Sequence, residues 1–242
     1  DHYDGTRLGF NPTIKIKMNE STTLDLSYEH ADHERYIDRG VPTENGEPVE
    51  RFEKITFGGD DNLTTLKANI LRATLSKVFS DTRKGNLSIV SSDFEKMYKN
   101  YYASGYTAGA TVVTMDGYLD PTERENTIIS GNIVNEVGNH TLLVGVELID
   151  TTNENFRYNT FWSTTSDDNE VFNITRPMDF SVNSAGVATS NDYTADLKSK
   201  TKSDIDVTSF FIQDQIDVSD KLKLMIGGRH DSFDITVTDI TV

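Results

Sequence analysis

Residues 7–18 alternate strictly between apolar and polar side chains. The even positions hold the apolar set, which comprises Leu8, Phe10, Pro12, Ile14, Ile16 and Met18. The odd positions hold Arg7, Gly9, Asn11, Thr13, Lys15 and Lys17. An α-helix would scatter both sets around its circumference, whereas a β-strand places each set on one face. The alternation therefore predicts a strand with one apolar face, in which Pro12 is the irregular position because proline donates no ladder hydrogen bond.

The same alternation returns along the chain in pairs of runs that are separated by short polar turns. The apolar residues of these runs are Leu24, Leu26, Tyr28, Leu71, Ala73, Leu75, Ile129, Gly131, Ile133, Leu142, Val144, Val146, Leu148, Phe210, Ile212, Ile216, Val218, Leu222, Leu224 and Ile226. The turns fall near residues 19–22, 80–85, 137–140 and 219–220. Two alternating runs joined by a short polar turn are typical of a β-hairpin, so the chain is predicted to form four hairpins, or about eight strands.

The remaining connections are long and polar. They lie around residues 40–59, around the tyrosine-rich stretch from Tyr98 to Tyr106, and from about Asn159 to Lys200. Outer-membrane barrels alternate short periplasmic turns with long external loops, whereas a β-sandwich has shorter strands and more evenly spaced turns. We therefore predict an all-β fold: an antiparallel up-and-down meander that forms part of an outer-membrane β-barrel with long external loops.

Composition agrees with this interpretation and excludes other classes. Only 36% of the residues are hydrophobic, which suits a barrel with one apolar band, and the aromatic fraction of 10% argues against disorder. The formal net charge of -16 argues against a nucleic-acid partner, because phosphate repels an acidic surface. The absence of cysteine excludes disulfides and thiolate metal sites.

Five segments carry a resemblance to a known family. They are Leu24–Glu29, Asp38–Pro42, Phe57–Asn62, His140–Glu147, and the hairpin that runs from Phe211–Ile216 through Leu222 to Gly227–Asp231. In their order and spacing they resemble the TonB-dependent siderophore receptors of the outer membrane, whose strand pattern HTLLxGxE and hairpin pattern QDQI…L…GxRxD are both present. The chain is identified by this resemblance as an internal barrel fragment of such a receptor.

The resemblance implies a barrel of about 22 strands with an N-terminal plug domain. Residues 1–242 are then part of a single transmembrane barrel domain, and the plug and the remaining strands are absent from the sequence. The implied partners are a ferric siderophore, the lipid of the outer membrane of a Gram-negative bacterium and, through the missing plug, TonB. The barrel is expected to be monomeric and to use no cofactor, and cobalamin or a glycan remains open as the substrate.

We expect a binding and transport protein rather than an enzyme, because the sequence contains neither Gly-x-Ser-x-Gly nor HExxH. His30 and His33 resemble a metal site only superficially, since strand positions three apart face opposite sides. Asp60-Asp61-Asn62 and the segment 167–170 offer oxygen ligands without the EF-hand spacing, which favours solvated loop charge over a cation site.

Candidate ligand contacts are aromatic and basic residues near the predicted external loops. Tyr101, Tyr102 and Tyr106 lie, with Tyr98, where a strand should enter a loop. They suit either an interfacial aromatic girdle, which is favoured, or a lumen-facing platform for an iron chelate. Because Tyr101 and Tyr102 are adjacent, one should face outward and the other inward.

Two further groups combine arginine with aromatic residues, and arginine supplies planar, permanent charge for an anionic siderophore. Their members are Arg35, Tyr36 and Arg39 in the first group, and Arg157, Tyr158 and Trp162 in the second. Two other functions stay open at this point: a small outer-membrane barrel with a structural or adhesion role, and a secreted β-sandwich that acts as a binding module.

Overall fold

The structure is a computed structural model that describes residues 4–59 and 62–241. Its strands are β1 (Gly5–Phe10), β2 (Thr13–Asn19), β3 (Thr22–Tyr36), β4 (Thr43–Glu44), β5 (Glu47–Pro48), β6 (Leu63–Ser80), β7 (Arg83–Gly105), β8 (Val112–Val137), β9 (His140–Asn159), β10 (Glu170–Asn173), β11 (Asp196–Ser219) and β12 (Leu222–Thr241). A short 3-10 helix, Glu50–Phe52, follows β5. Within the described ranges, no helix has the length and apolar character that a membrane span requires.

Ten of these strands form one antiparallel sheet in the order β1-β3-β6-β7-β8-β9-β11-β12. β2 also pairs with β3, and β10 also pairs with β8. The break between β1 and β2 falls at Asn11 and Pro12, where the Pro12 carbonyl still accepts a hydrogen bond from the Tyr28 N–H at 3.1 Å. The sheet is an open up-and-down meander, so the predicted fold class is confirmed and two face-to-face sheets, as in a β-sandwich, are not formed by the described strands.

The four predicted hairpins are all present. They are β2–β3, β6–β7, β8–β9 and β11–β12, and each is closed by a two-residue turn. In the turn between β8 and β9, Gly138 has a φ of 63°, a left-handed conformation that favours glycine. The tight turns therefore all lie at one end of the sheet, which we call the turn end, and the long connections lie at the other, the loop end.

Cross-strand pairing assigns every strand residue to one of two faces. On one face, near the turn end, large hydrophobic side chains are exposed on β2, β6, β7, β8, β9, β11 and β12: Ile14, Leu71, Leu87, Ile129, Val144, Ile212 and Ile226 are examples. We call this set the apolar band. The opposite, polar face carries residues such as Ser27, Arg72, Ser88, Ser130 and Gln213 at the same level. An exposed apolar surface of this extent needs an apolar environment around the sheet.

The height of the apolar band fits a bilayer. On β8 it runs from Ile129 to Val137, about 27 Å along the strand and about 20 Å across the membrane at a tilt of roughly 40°. Barrels in outer membranes have an apolar band of about 25 Å. On the same face, Thr127 and then Glu125 follow toward the loop end on β8, and Asp150 follows Leu148 on β9.

The strands continue far beyond this band. β8 has 26 residues, whereas a membrane crossing takes about 9–11. The tyrosine-rich stretch is therefore mainly strand, and only residues 106–111 connect β7 to β8. Tyr98 lies about 30 Å along β7 beyond Ile89, the last apolar residue of the band on that strand. The expectation of an interfacial girdle is wrong for this stretch, because the ladder carries the tyrosines well past headgroup level.

Residues of the two family-like patterns meet on the polar face. A Cβ at Gly145 would lie 2.2 Å from the Phe211 ring, so only glycine leaves room for this ring. Arg229 donates hydrogen bonds to Glu147 at 2.8 Å and to Asp231 at 2.7 Å. The patterns HTLLxGxE and GxRxD thus correspond to one packed and hydrogen-bonded group across β9, β11 and β12.

The buried core lies at the loop end, on the same side of the sheet as the apolar band. It is formed by Tyr101, Val113, Met115 and Leu119 of the sheet and by Val49, Phe52, Phe57, Trp162, Phe172 and Tyr193 of the loops and β10. Trp162 and Phe172 are at most 1% exposed. The long loops are therefore packed structures that fold back onto the extended strands.

Candidate functional site

Three tyrosines of β7 and β8 lie together on the polar face at the loop end. The register places Tyr98 beside Asp120, Tyr102 beside Asp116, and Tyr118 between them. The rings of Tyr98 and Tyr118 are stacked with centroids 5.7 Å apart, and the Tyr102 ring meets Tyr118 edge-on at 6.2 Å. The local alternation of the hairpin thus builds a half-buried aromatic surface.

Two arginines from different parts of the chain cover these rings. The Arg157 guanidinium of β9 lies 3.5 Å from the centroid of Tyr118 and donates to both carboxylate oxygens of Asp120, at 2.8 and 3.1 Å. Arg39, from the loop after β3, lies 4.9 Å from the centroid of Tyr102. We call Arg39, Tyr98, Tyr102, Tyr118 and Arg157 the aromatic–arginine cluster.

Arg39 connects its loop directly to strands β7 and β8 of the sheet. It donates hydrogen bonds to the Tyr118 hydroxyl at 2.9 Å and to the Asn100 side-chain oxygen at 3.1 Å. Unlike Arg157, it forms no ion pair with any residue in the ranges 4–59 and 62–241. Its charge is permanent and has no carboxylate partner among the described residues, so it can attract an anionic group.

The surroundings of the Tyr102 hydroxyl favour its neutral form. Burial and the hydrogen bond that the Tyr102 hydroxyl donates to Asp116, at 2.8 Å, raise the pKa of Tyr102 to about 12. Tyr102 therefore keeps its proton at any physiological pH. Asparagines continue the polar face beside the cluster, since Asn153, Asn155 and Asn159 project from β9 to the same side as Arg157.

The loop that carries Arg39 is fastened by Asn62, which is fully buried. Its side-chain amide donates to the carbonyls of Ile37 at 3.2 Å and Tyr101 at 3.0 Å, and its oxygen accepts from the Tyr101 N–H at 2.7 Å. A Cβ at Gly58 would lie 1.9 Å from the Asn62 amide nitrogen, so a glycine is needed there. Asn62 thus serves the backbone rather than a cation, while Asp60 and Asp61 lie outside the described residues.

A second loop approaches the same region and contains an acidic group. Asn159 donates to the Asp168 carboxylate at 3.0 Å. Burial and the neighbouring carboxylates of Asp116 and Asp167 raise the pKa of Asp168. No group of three or more metal-ligating side chains forms within the described part of the chain.

The structure brings some of the sequence-predicted site residues together and separates others. Arg39, Tyr102 and Arg157 belong to the aromatic–arginine cluster. Arg35 lies on the polar face in the same cross-strand row as Tyr98, two strands away. These four residues share the face that a barrel turns toward its lumen.

The other predicted site residues lie elsewhere. Tyr101 and Trp162 stack at 5.5 Å inside the core, and Tyr158 packs against it. Tyr106 packs on Phe52 and accepts a hydrogen bond from Arg51. Tyr36 faces away from the cluster and lines a cleft of about 560 Å³.

Sequence reasoning left Tyr118 and Asn62 out of the candidate site. Tyr118 could have been found by pairing the even positions of β7 with those of β8, which requires knowing that the strands extend beyond the membrane. Asn62 belongs to a family-like segment, but no sequence signal indicates its role, because that role depends on backbone groups that lie 25 and 39 residues away.

A family model described as the TonB dependent receptor-like β-barrel matches residues 9–242. The chain belongs to this family. TonB-dependent receptor barrels are outer-membrane proteins of Gram-negative bacteria, so the apolar band is the lipid-facing wall and the polar face lines the lumen. No curated protein sequence matches the chain.

Solved structures of receptors share this fold. The ferric-catecholate import receptor Fiu from E. coli, in its open form, is 15% identical with a TM-score of 0.73, and the match covers 98% of this chain and 38% of Fiu. The ferripyoverdine receptor of Pseudomonas aeruginosa, bound to ferripyoverdine, is 15% identical with a TM-score of 0.77, covering 100% and 32%. The ferric preacinetobactin receptor BauA from Acinetobacter baumannii is 13% identical with a TM-score of 0.68, covering 98% and 35%.

These identities establish the shared fold alone. The chain spans about a third of the length of each of these receptors. Its family and its structural neighbours are transport receptors rather than enzymes.

Proposed function

We propose that the receptor to which this chain belongs takes up a ferric siderophore across the outer membrane, and that the aromatic–arginine cluster is part of its ligand-contact surface. Membership of the family supports the receptor class. The ligands of the similar structures, which are ferric catecholates, ferripyoverdine and ferric preacinetobactin, support an iron chelate as the substrate class.

The observation that carries the site is the charge of Arg39 beside three phenol rings, with no carboxylate partner in the part of the chain that the structure describes. Ferric siderophores combine planar groups with negative charge. Stacked tyrosines offer flat, polarisable surface for the planar part, and an arginine above a ring contributes about 0.5–2 kcal/mol of cation–π attraction. In a chain with a net charge of -16, a cation on the lumen side is a selective anchor for an anion.

The position of the cluster also suits ligand capture. It lies on the polar face, well beyond the lipid-facing band and toward the long loops, where a ligand arriving from outside would enter. TonB, acting through a plug domain, would then supply the energy for transport, as the family implies.

The experiment has two stages. Iron-starved cells that lack the intact receptor are tested for uptake of a panel of radiolabelled ferric siderophores, both catecholates and hydroxamates. If these cells take up every chelate as well as wild-type cells do, the proposed function fails.

For a chelate whose uptake does depend on the receptor, binding is measured with purified Arg39→Gln protein. We expect roughly tenfold weaker binding. The matched control is Arg124→Gln, which removes the same charge from the polar face of β8 outside the cluster. Equal affinities of the two variants would refute the role of the cluster while leaving the function intact.

A further inference from the structure

A groove crosses the lipid-facing band near the turn end. Its volume is about 450 Å³, within the usual range of ligand pockets. Its apolar walls are formed by Leu75, Phe79, Leu87, Ile133, Val144 and Val146. The groove is therefore a depression in a surface that already faces lipid.

Glycine produces this depression. Gly131 occupies the position between Leu87 of β7 and Val146 of β9, where a side chain would otherwise stand on the band. A Cβ at Gly131 would meet nothing closer than the Leu87 side chain at 3.8 Å, so the space above it is open.

A cation stands at the edge of the groove. Lys77 pairs with Gly85 across the ladder, so it projects from the lipid-facing side, and it is exposed. Its ammonium group has one long hydrogen bond, to the Thr22 hydroxyl at 3.4 Å. It forms no ion pair with any residue that the structure describes.

Lys77 also lies close to the membrane surface, because it is near the tight turn between β6 and β7. A lysine in this position lays its apolar stem along the wall and extends its charge toward the headgroups. A phosphate is the anion that a membrane offers at this level.

The leaflet can be assigned from the architecture. Short turns of outer-membrane barrels lie on the periplasmic side. The groove therefore opens into the periplasmic leaflet, which consists of glycerophospholipids, and not into the outer leaflet with its lipopolysaccharide.

We propose that this groove is a binding site for one glycerophospholipid of the periplasmic leaflet, with an acyl chain over Gly131 and the phosphate beside Lys77. The groove is continuous with the lipid-facing wall, and the unpaired charge of Lys77 complements a phosphate. Phosphatidylglycerol binds more tightly than phosphatidylethanolamine, because its headgroup has no positive charge to oppose the lysine. The site belongs to the membrane wall and does not depend on which ligand the receptor transports.

The test uses the intact receptor in detergent, titrated with phosphatidylglycerol and observed by native mass spectrometry. The wild type is expected to retain one lipid more tightly than the detergent background. Lys77→Gln weakens this binding roughly fivefold, and Gly131→Leu, which fills the groove, removes it. Heat-modifiable migration in gel electrophoresis confirms that each variant barrel is folded.

Two matched controls keep the result specific. Lys84→Gln removes a lysine at the same turn but from the polar face, and Ala73→Leu introduces a leucine side chain on the lipid-facing side outside the groove. Both should bind as the wild type does. The proposal is overturned if the wild type retains no lipid above background, or if the groove variants and their controls bind equally.

Discussion

The attachment of the Arg39 loop can be tested at a single residue. Asn62→Ala removes three hydrogen bonds from a fully buried site: those to the carbonyls of Ile37 and Tyr101 and the one from the Tyr101 N–H. Each hydrogen bond lost at a buried site costs about 1–3 kcal/mol, so the loop end should be destabilised by at least about 3 kcal/mol. This corresponds to roughly a hundredfold faster local opening.

Hydrogen exchange measured by mass spectrometry on the intact receptor resolves this effect. Exchange should rise in residues 37–39 and 57–59, and trypsin should cut faster after Arg39. The buried ring of Phe52 holds the middle of the loop, so exchange there should change less. Asn86→Ala is the control, because Asn86 is exposed and its side-chain amide donates one hydrogen bond, at 3.3 Å, to the side-chain oxygen of Asn132. Equal exchange in the two variants at residues 37–39 would refute the attachment.

Three other substitutions probe the wall and the second loop. Gly145→Val should destabilise the barrel by about 1–3 kcal/mol in urea unfolding from lipid vesicles, because the Phe211 ring would have to move away from residue 145. An unchanged unfolding midpoint would contradict the packing of Phe211 on Gly145. Ile212→Arg, on the lipid-facing side, should destabilise the barrel folded in vesicles by about 2–4 kcal/mol, whereas Ser130→Arg on the polar face should have little effect. A larger effect of Ser130→Arg would contradict the assignment of the two faces. Because the pKa of Asp168 is raised in the folded protein, its charged form destabilises the native loop. This destabilisation is present at pH 7 and is lost as the pH falls through the pKa of the folded state. Asp168→Asn should therefore slow hydrogen exchange in the loop at pH 7 but not at acidic pH, and an equal effect at both values would exclude this cause.

Much of the wall was predictable because the bilayer imposes a simple rule on it. In the apolar band one face meets lipid and the other faces away from it, so alternation appears directly in runs such as Leu24–Glu29. The polar turns between such runs predicted the hairpins. The family resemblance came from residues that pack across β9, β11 and β12. These features depend on neighbours that are close along the ladder.

Beyond the membrane no lipid imposes this alternation, and the strand segments there could not be predicted from it. On the upper part of β8 one face carries Val113 and Met115 beneath the loops, and the other carries Asp116 and Tyr118. The strand remains regular there, but its sequence is rich in glycine and tyrosine. Without the lipid-imposed alternation, such a sequence is typical of a loop. The partners of Tyr101 and Trp162 come from loops far apart in sequence, which no local signal records.

The three cluster tyrosines stand on a continuous hydrogen-bonded ladder rather than on loop tips. A ligand that settles on them meets a surface whose backbone is already ordered, so little conformational entropy is lost on binding. A single substitution among these positions would change the shape and polarity of the surface while the ladder beneath it stays in place. Ligand preference could therefore diverge between related receptors through point mutations in the extended wall, without insertions or deletions in the loops above it.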